Sequence, residues 1–280
     1  MQHFYLITNE SKDKDLKTTA KLEKMLKENG GKVTTLLRKS GKEGLTDLSV
    51  PEDTDCIIVL GGDGTLLKAS VDTMDLDIPL LGINLGTMGF MAEVERGEIS
   101  EAVKALSEGR YSIEERMMLD GELCTDDGEK KEFHALNDIV LTRTGSLKIV
   151  SFDIYVNGQL LSTYSADGVI ISTPTGSTGY NMSAGGPIVS PRAKLLLLTP
   201  ICPHAITAKS IVLSDSDEIS VEVGLGHNGE RQEVECNFDG SPSLRLFTGD
   251  RVRIKRSERV TKFVRLKDEG FLKLLHKKLQ

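Results

Sequence analysis

The first third of the chain alternates between two apolar patterns. The runs Phe4–Ile7 and Cys56–Leu60 are apolar without the alternation of a half-exposed strand. Between them, apolar residues from Leu16 to Leu26 recur at the spacing of one helix face, and Gly30-Gly31 ends that segment. Because strands covered by helices on both faces are apolar throughout, this third predicts a parallel sheet flanked by helices.

From about Leu119 the pattern changes to strands that follow one another closely. Ile149–Val156 runs into Asn157-Gly158, a dipeptide typical of tight hairpins, and apolar residues resume at Leu160. Other segments with a period of two predict strands at Ile139–Thr142, Val169–Ser172, Ser210–Leu213, Ile219–Val223, Glu233–Phe238 and Arg251–Lys255. We therefore expect an α/β domain at 1–118 plus 262–280, closed by an amphipathic helix from 271, and a β-rich domain at 119–261.

Composition narrows the class of protein. At 280 residues, with 39% hydrophobic and 28% charged positions, the chain is long enough and apolar enough to bury a core. No run reaches the roughly 18 apolar residues of a membrane span, and the amino terminus has no targeting pattern, so we expect a cytoplasmic protein. Its four widely spaced cysteines argue against a disulfide framework or a zinc site.

Net charge points to how ligands would be held. The formal charge of −7 argues against nonspecific binding of nucleic acid. Polyphosphate ligands would therefore depend on local backbone amides, hydroxyl groups and a few basic side chains.

A glycine-rich turn, Gly61-Gly62-Asp63-Gly64-Thr65, directly follows the apolar run that ends at Leu60. Such turns after parallel strands let backbone amides approach phosphate closely. The acid at position 63 fits neither a Walker A loop nor a Gly-x-Gly-x-x-Gly fingerprint. An acid would repel a phosphate ligand unless it served the chemistry, so we predict Asp63 as a general base. The alternative is a helix cap.

Further polar segments follow other predicted strands. A second glycine-rich loop, 82–90, is expected beside the first, although a plain tight turn is an equal alternative. Asn137-Asp138 opens a predicted strand and is commonly just a turn. Six hydroxyl side chains between Ser172 and Tyr180 predict recognition of sugar or phosphate.

Two other features of the sequence do not indicate a functional site. The segment 224–229 matches Gly-x-Gly-x-x-Gly, but the residues after it alternate like a strand, so we interpret it as a hairpin loop. The five histidines are scattered and indicate no catalytic triad or metal cage. His204 is interpreted as a turn residue.

The glycine turn, Asn137-Asp138 and the segment from Thr175 to Pro187 together resemble the bacterial NAD kinase family. The resemblance covers most of the chain in order, whereas the first turn alone also resembles phosphofructokinases and lipid kinases. It implies a Rossmann-like α/β domain and a β-rich domain, as in NAD kinase and diacylglycerol kinase-like folds. It also implies ATP, NAD and magnesium as ligands, and dimers or tetramers with a pocket near the subunit interface.

The resemblance assigns roles to individual residues. Asp63 would accept a proton and, with Gly64, contact NAD, while Asn137 and Asp138 would hold the ribose and adenine end. Other positions implied to line the dinucleotide site are Lys148, Ser165, Asp167, Thr178, Gly179, Tyr180, Asn181, Met182, Ser183 and Cys202. The expected phosphate-binding positions are Gly61, Gly62, Gly64 and Thr65. No protein metal site is expected.

Two positions depart from the family pattern. Gly179 stands where alanine is usual, and Ser241 stands where a glutamine is common after Asp-Gly.

The chemistry predicted is transfer of the γ-phosphoryl group of ATP to the 2'-hydroxyl of NAD. The alternatives are a lipid or sphingoid kinase that shares the glycine turn, and a dinucleotide-binding regulator without catalysis.

Overall fold

A computed structural model describes residues 1–38, 49–86, 89–126, 128–145, 149–226, 229–267 and 271–279. These residues form two units, Met1–Arg116 with Thr261–Gln280, and Met117–Val260. The boundaries expected from the sequence, 118/119 and 261/262, lie two residues and one residue from these.

The first unit is built on parallel strands, as its continuous apolar runs predict. Its strands are β1 (His3–Asn9), β2 (Lys32–Arg38), β3 (Cys56–Gly61), β4 (Leu80–Asn84) and β5 (Val94–Glu95). Its helices are α1 (Lys17–Glu28), α2 (Asp63–Asp72) and α3 (Ile99–Ser107). Two strands, β6 (Ser112–Cys124) and a late strand that begins at Arg251, run through the boundaries of the unit.

Parallel pairing sets the order β5-β4-β3-β1-β2 within the first unit. All six positions of β3 are buried, in keeping with a strand covered on both faces. Leu22 and Leu26 of α1 pack with Leu6 and Ile58 in one apolar core. Since the strands are parallel, the loops after β1, β3 and β4 emerge at the same edge of the sheet.

The second unit consists mainly of antiparallel strands. They are β7 (Lys130–Ala135), β8 (Asp138–Arg143), β9 (Val150–Val156), β10 (Gln159–Ala166), β11 (Gly168–Ser172), β12 (Leu195–Ile201), β13 (Ile211–Ser214), β14 (Ile219–Val223), β15 (Glu233–Phe238), β16 (Ser243–Phe247) and the start of β17 (Arg251–Arg265). A one-turn helix, α4 (Tyr180–Ser183), follows β11. The closing helix of the chain, α5 (Phe271–Leu279), belongs to the first unit.

Two layers of strands enclose the core of the second unit. One has the order β13-β12-β11-β8-β15-β16, and the other includes β10-β9-β14-β17. Phe152, Phe238 and Ile171 are buried in the same apolar cluster. The Asn157-Gly158 hairpin is confirmed, because both residues have positive φ, as a type I′ turn requires.

The loop after β14 corrects one interpretation. A strand, β15, follows the 224–229 segment, as its alternation predicts, and not a helix. The hairpin interpretation is wrong, because β14 pairs with β9 and β17 whereas β15 pairs with β8 and β16. The segment therefore carries the chain from one sheet to the other; residues 227–228 lie outside the described residues.

Candidate active site

Two glycine-rich loops lie side by side at the carboxyl edge of the parallel sheet. Gly61, at the end of β3, is paired with Asn84, at the end of β4. The amide of Leu85 donates a hydrogen bond of 2.8 Å to the carbonyl of Gly61. The sequence prediction that the second loop stands beside the first is confirmed for its described part, 82–86 and 89–90.

Asp63 is the first residue of α2, and its carboxylate is held by the end of the second loop and the two residues that follow it. Oδ2 accepts a hydrogen bond of 2.6 Å from the amide of Phe90. Oδ1 accepts longer bonds from the amides of Met91, at 3.3 Å, and Ala92, at 3.4 Å. The helix cap is Gly62, without a side-chain hydrogen bond, so Asp63 does not cap its own helix.

Gly89 makes room for this carboxylate. A Cβ atom on Gly89 would lie 1.9 Å from Cγ, Oδ1 and Oδ2 of Asp63. Real Cβ atoms do not approach other heavy atoms closer than 3.0 Å, so only glycine allows the carboxylate to stand where it does. The second loop therefore leaves space for the Asp63 carboxylate at Gly89 and binds it through the amide of Phe90. This position of the carboxylate is the seat of Asp63.

Lys12, which belongs to none of the sequence motifs, lies over the glycine turn. Its Nζ is 2.6 Å from the point that a Cβ atom on Gly62 would occupy. Within the described parts of the chain, this ammonium makes no hydrogen bond or ion pair. Asn9 Nδ2 donates to Thr65 Oγ1 at 3.2 Å and ties the loop after β1 to the turn. A basic residue after the first parallel strand was the signal available in the sequence.

In the second unit, the backbone around Asn137 is held from two sides. The Asp239 carboxylate accepts hydrogen bonds from the amides of Leu136, Asn137 and Asp138, at 2.6, 2.9 and 3.0 Å. Thr173 binds the other side, because its hydroxyl donates to Leu136 O at 2.6 Å and its amide to Asn137 O at 2.8 Å. Both peptide groups of the turn are therefore fully engaged.

The side chain of Asn137, by contrast, has an unsatisfied group. Its Oδ1 is buried and has no hydrogen-bond partner among the described residues. A Cβ atom on Gly179 would lie 3.6 Å from Asn137 Nδ2 and 3.7 Å from Asp138 Oδ2. The structure thus brings Asn137, Asp138 and Gly179 close together. A buried acceptor without a partner suits a ligand that donates a hydrogen bond.

Asp138 lies in an environment that disfavours its charge. Burial, and to a smaller extent the neighbouring Asp239 carboxylate, raises the pKa of Asp138 to about 7. Burial also raises the pKa of Asp239 to about 6, although its three amide donors oppose that shift. Two carboxyl groups with raised pKa values therefore flank the backbone of this turn.

Most hydroxyl groups of the 172–180 segment have structural roles, which corrects one prediction. The side chains of Ser172, Thr173 and Ser177 are fully buried, and Thr175 is 5% exposed. Ser177 Oγ donates to Pro174 O at 2.7 Å, so this hydroxyl serves the fold of its own loop. These groups shape the loop because a buried hydroxyl must find a partner inside the protein.

Asn181 also differs from its predicted role in binding the dinucleotide. Its side chain has no exposed surface, and Nδ2 donates to Ser177 O and Pro187 O at 3.2 and 3.0 Å. Oδ1 accepts from the Thr199 hydroxyl at 2.7 Å. With its amide fully used, Asn181 braces the loop.

Other predicted residues lie at the surface of this unit. Tyr180 is 45% exposed, Ser183 is exposed, and Thr178, Gly179 and Met182 are partly exposed.

A second group of predicted residues surrounds the β11–β12 region. Asp167 Oδ1 accepts a 2.8 Å hydrogen bond from Arg143 Nε. Ser165 and Cys202 are exposed, and the amide of His204 donates to Ser165 O at 2.9 Å. Lys148, also predicted, lies outside the described residues.

Among the described residues, no group of three or more His, Cys, Asp or Glu side chains is placed to hold a metal ion. In the same part of the chain, no helix is both long and apolar enough to cross a membrane.

A carboxylate within a glycine-rich turn, at the carboxyl edge of a parallel sheet, suits a phosphotransferase that acts on a hydroxyl group. Family comparison narrows this class. The ATP-NAD kinase N-terminal domain matches residues 4–111, and the ATP-NAD kinase C-terminal domain matches residues 136–266. The chain belongs to the NAD kinase family.

Individual relatives agree with this assignment. NAD kinases of Lachnoclostridium phytofermentans and Agathobacter rectalis are 43% and 44% identical to the chain, over 99% and 100% of it and 99% of each relative. Yeast NADH kinase complexed with NADH is similar at a TM-score of 0.86 and 25% identity, over 100% of this chain and 87% of that one. An Archaeoglobus fulgidus NAD kinase in complex with ATP is similar at a TM-score of 0.77 and 25% identity, over 99% of this chain and 98% of that one. The two-domain fold and the phosphotransferase class are confirmed, and the lipid kinase and regulator alternatives gain no support.

Proposed function

We propose that the protein transfers the γ-phosphoryl group of ATP to the 2'-hydroxyl of the adenosine ribose of NAD, which yields NADP and ADP. The observation that carries this proposal is the position of the Asp63 carboxylate, which is fixed at the first turn of α2 by the amides of Phe90 and Met91. The complexes of two structural relatives, one with NADH and one with ATP, support the two substrates.

In the proposed reaction, Asp63 accepts the proton of the ribose hydroxyl as its oxygen attacks the γ-phosphorus. A new O–P bond forms, the bond from the γ-phosphorus to the bridging oxygen breaks, and ADP leaves with that electron pair. Oδ2 accepts a single short bond, from Phe90, so one of its lone pairs is available for the proton.

Lys12 and the amides of the turn are proposed to hold the donor phosphates. The first amides of a helix have no carbonyl partner within it, and the positive end of the helix dipole favours an anion. Gly61, Gly62, Gly64 and Thr65 belong to this turn, although the amide of Thr65 already donates to the carbonyl of Gly62 at 2.9 Å. The ammonium of Lys12 adds a full positive charge beside Gly62 in a chain of net charge −7.

A divalent ion, expected as magnesium, is assigned to the donor. The described residues offer no cluster of metal-ligating side chains, so the ion would be held mainly by ATP phosphates, with Asp63 as the nearest acid of the turn. When bound, it would supply charge neutralisation at the phosphates. The protein's own contribution is to position the two substrates and to accept the proton.

The dinucleotide is assigned to polar groups of the second unit. The orphaned Oδ1 of Asn137 and the carboxyl group of Asp138 are proposed to bind ribose and adenine atoms. Exposed Tyr180 provides an aromatic surface for a base, and Asp167 provides a further acceptor. The remaining residues proposed here are Gly64, Lys148, Ser165, Thr178, Gly179, Met182, Ser183 and Cys202.

We also propose a homodimer or homotetramer with the dinucleotide site near the interface. Large apolar side chains on the surface of the second unit support this, with Ile206 93% exposed and Leu160 60% exposed. Light scattering on the purified protein tests the state directly, and a monomer at all concentrations would contradict it.

The function is tested with purified protein by measuring the phosphorylated product of each acceptor, with ATP or polyphosphate as donor and NAD, NADH or diacylglycerol as acceptor. We expect NADP from ATP and NAD. Asp63→Asn, which keeps the size of the side chain but removes the base, is expected to lower kcat by roughly a hundredfold or more. Tight NAD binding by calorimetry without NADP formation would show a regulator, and near-normal kcat in the variant would exclude Asp63 as the base.

A further inference from the structure

Asp239 was not assigned a role by the sequence, yet three consecutive backbone amides point at its carboxylate. The amides belong to Leu136, Asn137 and Asp138, and the last two residues are proposed dinucleotide ligands. The contact is reciprocal, because the amide of Asp239 donates to Asp138 O at 3.0 Å. The link joins chain segments about a hundred residues apart and lies at the ends of β8 and β15.

We propose that Asp239 is a positioning residue for the dinucleotide site, which holds the Asn137-Asp138 backbone so that both side chains face the ligand. This inference rests on the proposed function. Asp239 acts through these two residues and is not itself assigned a contact with substrate.

The backbone of Asp239 is adapted to this task. Its φ is +50°, in the left-handed region that Asp and Asn tolerate better than most other residues. This conformation lies just beyond the end of β15, where the chain turns and the carboxylate reaches the amides of the neighbouring strand start. A carboxylate is required because it offers acceptor oxygens on both sides and no donor, whereas an amide offers one oxygen and an NH2 group.

The opposite side of the turn is already fixed, which makes Asp239 decisive for orientation. Thr173 holds Leu136 O and Asn137 O, so the two peptide planes are set by Thr173 on one side and by Asp239 on the other. Without Asp239, the amides lose their acceptor while the carbonyls stay bound, and the peptide planes are free to tilt. Asn137 and Asp138 then turn with the backbone, because their side chains project from it.

The test compares Asp239→Asn with a matched control, Asp250→Asn. Asp250 is also a buried carboxylate of the second unit that accepts backbone amides, from Asp126 at 2.9 Å and Phe247 at 2.7 Å. Those amides belong to none of the proposed ligand residues. For each variant, kcat, the KM for NAD and the KM for ATP are measured together with the melting temperature.

For Asp239→Asn we expect the KM for NAD to rise roughly tenfold or more, since small displacements of positioning groups have large effects, while the KM for ATP stays within twofold. Asp250→Asn should lower the melting temperature comparably and leave both KM values near wild type. Equal KM values for NAD in the two variants, or an equal rise in both KM values for Asp239→Asn, would overturn the proposal.

If Asp239→Asn does not fold, Asp239→Gly provides the second measurement. Glycine tolerates a φ of +50° and removes the carboxylate from the three amides, so the same selective rise in the KM for NAD is expected. An unchanged KM for NAD in folded Asp239→Gly would then refute the proposal. The activity of the wild-type enzyme separates a failure of the proposed function from a failure of the proposed role of Asp239. A wild type that forms no NADP refutes the proposed function. An active wild type whose Asp239 variants show no selective rise in the KM for NAD refutes only the role of Asp239.

Discussion

Replacing Gly89 by alanine should disable the enzyme without changing any chemically active group. The new methyl group would stand 1.9 Å from three atoms of the Asp63 carboxylate, and contacts under 3.0 Å do not occur. The carboxylate must therefore move by about 1 Å or more and give up its bond to Phe90. A displacement of that size is expected to reduce kcat by about a hundredfold.

The fold should survive this substitution, because the clash involves the end of a side chain and not backbone atoms. Gly86→Ala is the matched control, since it lies in the same loop and a Cβ atom there meets nothing within 4 Å. Steady-state kinetics and thermal melts of both variants provide the comparison. A Gly89→Ala enzyme with the melting temperature and kcat of Gly86→Ala would refute the argument that the seat of Asp63 is needed for proton acceptance.

Two further predictions concern the donor site and the buried carboxyl pair. Lys12→Met should raise the KM for ATP about tenfold and leave the KM for NAD unchanged, with Lys14→Met as control; a rise in the KM for NAD alone would contradict it. Because burial and Asp239 raise the folded-state pKa of Asp138 from 3.8 to about 7, its ionisation lowers stability progressively as pH rises between those values. A rise in pKa from 3.8 to about 7 corresponds to about 4 kcal/mol of stability. At roughly 2 °C per kcal/mol, Asp138→Asn should therefore gain about 8 °C in melting temperature over wild type at pH 8 and much less at pH 4; the same gain at both pH values would show that ionisation is not the cause.

Local patterns in the chain were sufficient to predict much of the fold. The buried strand β3 and the Asn157-Gly158 hairpin follow from neighbouring residues, because apolar periodicity and turn conformation are short-range properties. The acid on the glycine turn was also evident, since its chemistry conflicts with simple phosphate binding. Even the departure at Gly179 was visible, and the structure places that glycine beside Asn137 and Asp138.

Tertiary structure alone decided which polar groups are free to act. Ser177 and Asn181 are as polar in the sequence as Tyr180, but their hydrogen bonds are consumed within the loop whereas Tyr180 stays exposed. The position of the Asp63 carboxylate beside Gly89 depends on contacts between separate segments of the chain. The hydrogen bonds that Asp239 accepts from the backbone of Asn137 and Asp138 join segments about a hundred residues apart. Burial and hydrogen-bond partnership depend on what the rest of the chain brings near, so composition and spacing identify candidate chemistry but not its availability.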